Sequence, residues 1–258
     1  MAELLMHLLP GGAEAAAQSR ELTPEGQSDP FDSGIWPLHR KEFLGDPTDW
    51  ANDPKVVLLG PQAAENAAHV PFILDATALA SGGSRVARIV VTIDYSPIPV
   101  ALTFWPGRAL PLLGFGVKYE GSGPLRASAE RQDGSWRMAA RFVSAIGGGC
   151  TTPAAAHGRP DWQEGFGEMR ARFWPDTGRL RVWLRHPQDT GLAAGIAAHH
   201  LTEMVLSDPA GEIARLELHQ PVEENPAFTF QLPPGLTAPL TIRARDTMGY
   251  RFDGVVAA

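Results

Sequence analysis

Gly147-Gly148-Gly149-Cys150 sets the only thiol of the chain behind three residues without side chains. A thiol so placed suits a nucleophile that accepts a group, holds it and moves it between sites. The glycines remove steric bulk and open dihedrals closed to other residues. Four extended steps from Ile146 would cover about 13 Å at ~3.3 Å each, enough to carry the sulfur clear of a domain surface. No apolar neighbours flank it, and Thr151-Thr152-Pro153 follows, so the sequence predicts an exposed, functional thiol and not a buried inert one. A thiol enzyme would need a base oriented beside the sulfur. The nearest histidine, His157, lies on the same Gly-, Pro- and Ala-rich stretch, which would hold it poorly. A single cysteine excludes an intramolecular disulfide and a cysteine-cluster zinc site. It also leaves no second thiol in the chain to displace a cargo by forming a disulfide.

Other polar groups read more plainly. His199-His200 is not expected to bind a metal, because neighbours in an extended segment point to opposite faces. His186 and Asp189, in His186-Pro187-Gln188-Asp189-Thr190-Gly191, read first as turn residues, since Pro187 fixes φ and Asp189 can bond the backbone ahead of Gly191. Gly147 to Gly149 form no phosphate loop, as no Lys-Ser/Thr pair follows. The seven tryptophans read as core and interface anchors. Arg170, Arg172, Arg179, Arg181 and Arg185 form a basic stripe: a solvated strand face, or a guide for anions or an acidic partner. No metal and no cofactor is implied.

The elements that must position the thiol are strands. Glycine at 27 and proline at 23 in 258 residues favour short strands and turns over long helices. The net charge of −7 argues against nucleic acid as a partner, and no run approaches the ~18–20 apolar residues of a membrane span. Residues 36–44 predict one short helix, with Pro37 in its first turn and Gly45-Asp46-Pro47 as its stop. Strand-like runs follow at 56–59, 70–74, 88–95, 100–105 and 115–119, and 125–130 pairs as a hairpin with 136–146. Along 136–146, Trp136, Met138, Ala140, Phe142 and Ile146 share one parity, predicted to face the core, with Arg137 and Arg141 on the wet face. Seven more runs, at 169–173, 180–185, 201–206, 213–218, 228–232, 240–244 and 250–255, suit an immunoglobulin-like sandwich. The fold class expected is all-β, two immunoglobulin-like β-sandwiches in tandem behind a short N-terminal helix. The expected boundaries are a flexible lead-in over 1–32, a first sandwich over 33–150 ending in the glycine-cysteine arm, a linker over 151–165 and a second sandwich over 166–258. Leu4 to Leu9 and Ala13-Glu14-Ala15-Ala16 have the texture of an export signal, but the first basic residue is Arg20, so the stretch reads equally as an incomplete export signal or as an ordinary flexible terminus.

With both halves in view, the chain resembles a fusion of the SoxY and SoxZ subunits of a sulfur-carrier complex, and more closely the single-chain SoxYZ-like carriers associated with quinoprotein dehydrogenases. The first half resembles SoxY through Ala64-Glu65-Asn66-Ala67-Ala68-His69-Val70-Pro71, Pro97-Ile98-Pro99-Val100-Ala101 and the strand entering Gly148-Gly149-Cys150. The second resembles SoxZ through His186 to Gly191, Asn225-Pro226-Ala227-Phe228 and the closing hairpin from Asp246 to Gly254. The resemblance implies a non-enzymatic carrier in oxidative sulfur metabolism. Cys150 would attach a sulfur oxyanion or sulfane sulfur covalently, Gly147, Gly148 and Gly149 would be the flexible arm, and sulfur-oxidation enzymes or a quinoprotein dehydrogenase system would be the partners. It also implies a periplasmic location. The alternative is a non-catalytic delivery module for a periplasmic quinoprotein dehydrogenase, with Cys150 incidental. SoxY-type chains end just after their cysteine, whereas Cys150 continues into a second half, so this arm is tethered at both ends.

Overall fold

The computed structural model describes residues 27–80, 84–158, 161, 163–233, 235–236 and 239–256. The export-signal-like run and most of the expected lead-in lie outside the described residues. From Gln27 onward the chain is held and not loose: the Asp29 carboxylate accepts Arg126 Nη2–H at 2.8 Å, and the Asn52 amide donates to the Ser28 carbonyl at 2.6 Å.

The helix falls where the sequence predicts it. Helix α1 (Trp36–Leu44) has proline in its first turn and stops at Gly45, whose φ of 80° favours glycine. It buries Trp36, His39 and Leu44 along one side. The first half then forms β1 (Trp50–Asn52), β2 (Val57–Leu59), β3 (Val70–Asp75), β4 (Val86–Ile93), β5 (Val100–Trp105), β6 (Leu112–Val117), β7 (Gly123–Arg131) and β8 (Trp136–Val143). The second half forms β9 (Met169–Trp174), β10 (Arg179–Leu184), β11 (Leu201–Asp208), β12 (Gly211–Leu218), β13 (Ala227–Gln231), β14 (Leu240–Asp246) and β15 (Arg251–Val256). The fold is all-β and immunoglobulin-like. The β7–β8 hairpin pairs Glu130 with Trp136 and Leu125 with Arg141, and its turn uses Gly134 at φ 82°.

The strands make two layers, each continuous through both halves. Among the described residues, one sheet runs β1-β8-β7-β4-β5-β12-β11-β14-β15 and the other β2-β3-β6-β13-β10-β9. The halves join edge to edge at β5–β12, through Leu102 to Leu218 and Phe104 to Leu216, and at β6–β13, through Gly114 to Thr229. One buried apolar cluster fills the space between the layers, from Phe72, Leu113 and Phe115 in the first half to Leu180, Phe228 and Phe230 in the second. The described residues of the expected linker over 151–165 add no strand to either sheet.

Strand β8 departs from its expected facing. Trp136 and Met138 are buried, but under α1 with Trp36, Leu44, Trp50 and Val90, in a second small core on the outside of the nine-stranded sheet. Ala139 and Val143, of the opposite parity, face the main core. Arg141 shares their parity and is therefore interior, 1% exposed, while Phe142 is 42% exposed. Both faces of β8 are covered, so alternation shows that two faces exist but not which is wetter.

Candidate functional site

After β8, Ser144 bridges to Ala63 and Ile146 stands fully in solvent. The glycines then turn the chain back onto the protein. Gly147 and Gly148 have φ of 105° and 81°, values that favour glycine. The Gly148 N–H donates to the Glu120 carbonyl at 3.3 Å and the Gly149 N–H to the Tyr119 carbonyl at 2.9 Å. A side chain at Gly149 would strike the carbonyl oxygens of Ala67 and Tyr119, so this glycine serves close approach. The Tyr119 N–H in turn donates to the Ala67 carbonyl at 2.7 Å. The predicted flexible arm is thus seated in a wedge between the Ala67 loop and the end of β6.

Cys150 is 0% exposed, which overturns the expectation of an exposed thiol. Its N–H and that of Thr151 both donate to Glu120 Oε2 at 3.0 Å, and the Thr151 hydroxyl donates to Glu120 Oε1 at 2.8 Å. From the second half, the Thr190 hydroxyl donates to the Cys150 carbonyl. The buried Lys118 ammonium donates to the Gln188 carbonyl in the same loop. Burial, and then the Glu120 carboxylate, push the Cys150 thiol up to about 11, while Lys118 and a hydrogen bond from Ser96 pull the other way. Burial pushes the Lys118 ammonium below its ordinary value, opposed by the charges of Cys150, Asp189, Glu224 and Glu223. A thiol of this kind is almost wholly protonated at neutral pH, and hence a poor nucleophile while the arm is seated.

The chain beyond the thiol is held as well. A 3₁₀ turn over Ala155–Gly158 has the N–H groups of Ala155 and Ala156 donated to the Glu224 carboxylate at 2.7 and 3.1 Å. His157 Nε2 lies 2.8 Å from Asp189 Oδ2. Residues 186–191 therefore do more than turn the chain: Thr190 holds the Cys150 carbonyl, Asp189 holds His157 and the Gln188 carbonyl holds Lys118. Sequence reasoning missed Glu120, Lys118 and Thr190 as partners of Cys150. Thr190 lies within a stretch singled out by the resemblance, whereas Glu120 and Lys118 carry no local signal.

His199 and His200 diverge as expected, but His199 meets His186 and Asp246, whose donor atoms lie within 4.8 Å of one another. Internal hydrogen bonds already use this set. His186 Nδ1 accepts the Gln188 N–H at 3.1 Å, which leaves the proton on Nε2, 3.3 Å from Asp246 Oδ2. His199 Nε2 lies 2.8 Å from the same oxygen, and Asp246 Oδ1 accepts the N–H groups of Met248 and Tyr250 at 2.9 Å. Burial lowers His186 to about 4, so its ring is neutral. A metal on Nε2 would have to break the Gln188 bond, and the cluster acts as a clasp between the 186–191 loop and the β14–β15 hairpin.

No curated protein matches the chain. Among solved structures, the sulfur carrier protein SoxY from Chlorobium limicola f thiosulfatophilum is 19% identical, with a TM-score of 0.32, over 38% of this chain and 84% of its own. A superoxide reductase (neelaredoxin) from Ignicoccus hospitalis is 16% identical, with a TM-score of 0.31, over 35% of this chain and 79% of its own. The BSP domain of a biofilm associated protein is 8% identical, with a TM-score of 0.27, over 80% of this chain and 30% of its own. Nothing about function follows from likenesses this weak. Residues 40–150 match the family described as sulfur oxidation protein SoxY, and the match ends on Cys150.

Proposed function

We propose that the protein is a sulfur carrier in which Cys150 holds a sulfur-containing group covalently and presents it to partner enzymes of oxidative sulfur metabolism. The observation that carries this reading is that the SoxY match ends on the only cysteine of the chain, at the tip of a glycine arm. The seated arm is the resting state. Loading requires its release, because a buried thiol with a value near 11 reacts with little in water.

Sulfane sulfur transfer needs no outside oxidant. The Cys150 thiolate attacks the terminal sulfur of a persulfide donor; the new bond is Cys150 Sγ–S, the donor S–S bond breaks, and the donor leaves as a thiolate. The second half acts as the SoxZ-type element, its 186–191 loop holding the Cys150 carbonyl between transfers. The periplasm and a quinoprotein dehydrogenase system belong to this reading through the resemblance.

The test is intact-mass measurement after incubation with a sulfurtransferase loaded with sulfane sulfur. Wild type should gain one sulfur that a reducing agent or cyanide removes. Equal behaviour of wild type and Cys150→Ser, or no added mass on either, sinks the carrier reading.

A further inference from the structure

Strands β9 and β10 pair so that their outward residues form three cross-strand couples: Trp174 with Arg179, Arg172 with Arg181, and Arg170 with Trp183. Their inward residues Phe173, Leu180, Val182 and Leu184 fill the core. On the outer face the guanidiniums lie over indole rings. Arg179 sits 3.9 Å and Arg172 4.7 Å from the Trp174 ring, and Arg170 sits 5.4 Å from the Trp183 ring.

Arg172, Arg179 and Arg181 have no carboxylate partner among the described residues, whereas Arg170 pairs with Glu168 at 2.7 Å. Two like charges directly opposite on a ladder oppose its pairing. Protection of a sheet edge would account for charge on β9, the outermost strand of its sheet. It does not account for matching charge on β10, an interior strand. The stripe is the opposite sign to the chain as a whole, which carries −7.

We propose that the outer face of β9 and β10 docks an extended acidic segment of a partner protein. Arginine forks bind carboxylates bidentately, and the two indoles supply the apolar platform of an interface centre. Carboxylates at alternate positions of an extended peptide would meet Arg172 and Arg181 and then the flanking arginines. Two features favour a peptide over a small anion: the face is open, and its charges are spread along two strands. The net charge of −7 disfavours nucleic acid. This docking does not depend on what Cys150 carries.

The test is fluorescence anisotropy with a labelled peptide of about 10 residues alternating glutamate and serine, long enough at ~3.3 Å per extended residue to cross two six-residue strands. Wild type should bind at low ionic strength and release the peptide as salt rises. R172E/R181E should bind at least about tenfold more weakly, while K41E/K55E, which changes the net charge equally, should stay within about twofold. If the glutamate pair does not fold, R172Q/R181Q should show a smaller loss in the same direction. No binding by wild type at low salt overturns the proposal, and so does an equal loss in the two charge-matched variants. Displacement of the peptide by millimolar sulfate, but not by sodium chloride of equal ionic strength, would mark a small-anion site and overturn it too.

Discussion

Glu120 closes on Cys150 from the strand side: one carboxylate accepts the Cys150 N–H, the Thr151 N–H and the Thr151 hydroxyl, all within 3.0 Å. Gly149 is bonded to the carbonyl of the residue before it, Tyr119. The arm is therefore zipped to residues 119–120 by backbone and side chain together, and the thiol is hidden by the geometry of that zipper.

Removal of the carboxylate should release the arm without unfolding the sheets. Bonds to a charged acceptor each contribute roughly 1–3 kcal/mol, and these are partly exposed, so Glu120→Ala should favour the released arm by about 1–2 kcal/mol. The alkylation rate of Cys150 at neutral pH should rise about 5- to 30-fold, with little change in the far-UV spectrum. A rate equal to that of wild type would mean that Glu120 does not hold the arm.

Gly149 should resist substitution for a reason unlike that of its neighbour. Its Cβ would meet the carbonyls of Ala67 and Tyr119, which are fixed by their own hydrogen bonds. At Gly148 the nearest atom is the Thr152 hydroxyl at 3.4 Å, and the obstacle is a φ of +81°. Gly149→Ala should expel the arm and make Cys150 modifiable within minutes, while Gly148→Ala should cost only about 1 kcal/mol and leave the thiol protected. Trapping both variants with a maleimide probe separates the two; equal protection would show that the wedge is not tight.

The thiol value gives a pH dependence with a definite sign. The seated arm raises Cys150 from an ordinary 9.0 to about 11, so the seated state holds the proton more tightly. Its contribution to docking is whole below pH 9 and is lost as pH climbs through 11. The alkylation rate of the folded protein should therefore keep rising about tenfold per unit beyond pH 9. A plateau near pH 9 would place the sulfur in water.

The sequence shows some of this readily and some not at all. Helix α1 and the seven strands of the second half follow from local period and from turn residues such as Pro37, Gly45 and Gly249, because each is fixed within a few residues. The seating of Cys150 does not follow. Glycine reads as freedom, and only the distant carbonyls of Ala67 and Tyr119 turn the same residue into a tight fit. His186, His199 and Asp246 are likewise remote in sequence. Arg141 is the sharpest miss: on a strand covered on both faces, a charged residue no longer marks the wet side.

Arg141 should accordingly be a stability cost. Its guanidinium is buried, and among the described residues its only hydrogen bond is 3.4 Å long to the Pro61 carbonyl and Nη1 has no partner. Burial lowers its value from the usual one, with the buried Tyr119 phenol beside it. Arg141→Met keeps most of the volume and removes the desolvated charge, which should stabilise by about 1–3 kcal/mol. Urea denaturation measures it directly, and a lower midpoint would show that the charge has a role in the fold.

The two halves should melt as one body. Both sheets cross the seam, Phe104 meets Phe230 at 6.1 Å between the layers, and the buried Glu223 carboxylate reaches His69 at 2.5 Å over Gly116. A Cβ at Gly116 would overlap that carboxylate. Separation of the halves would open four strand edges, on β5, β12, β6 and β13, and split a shared core, so neither half has a stable alternative partner. Calorimetry should show one transition with calorimetric and van't Hoff enthalpies in agreement. Gly116→Ala should lower its midpoint by about 2–4 °C per kcal/mol lost while keeping it single. Two resolved transitions, with only one moved by Gly116→Ala, would instead make each half a domain that folds by itself.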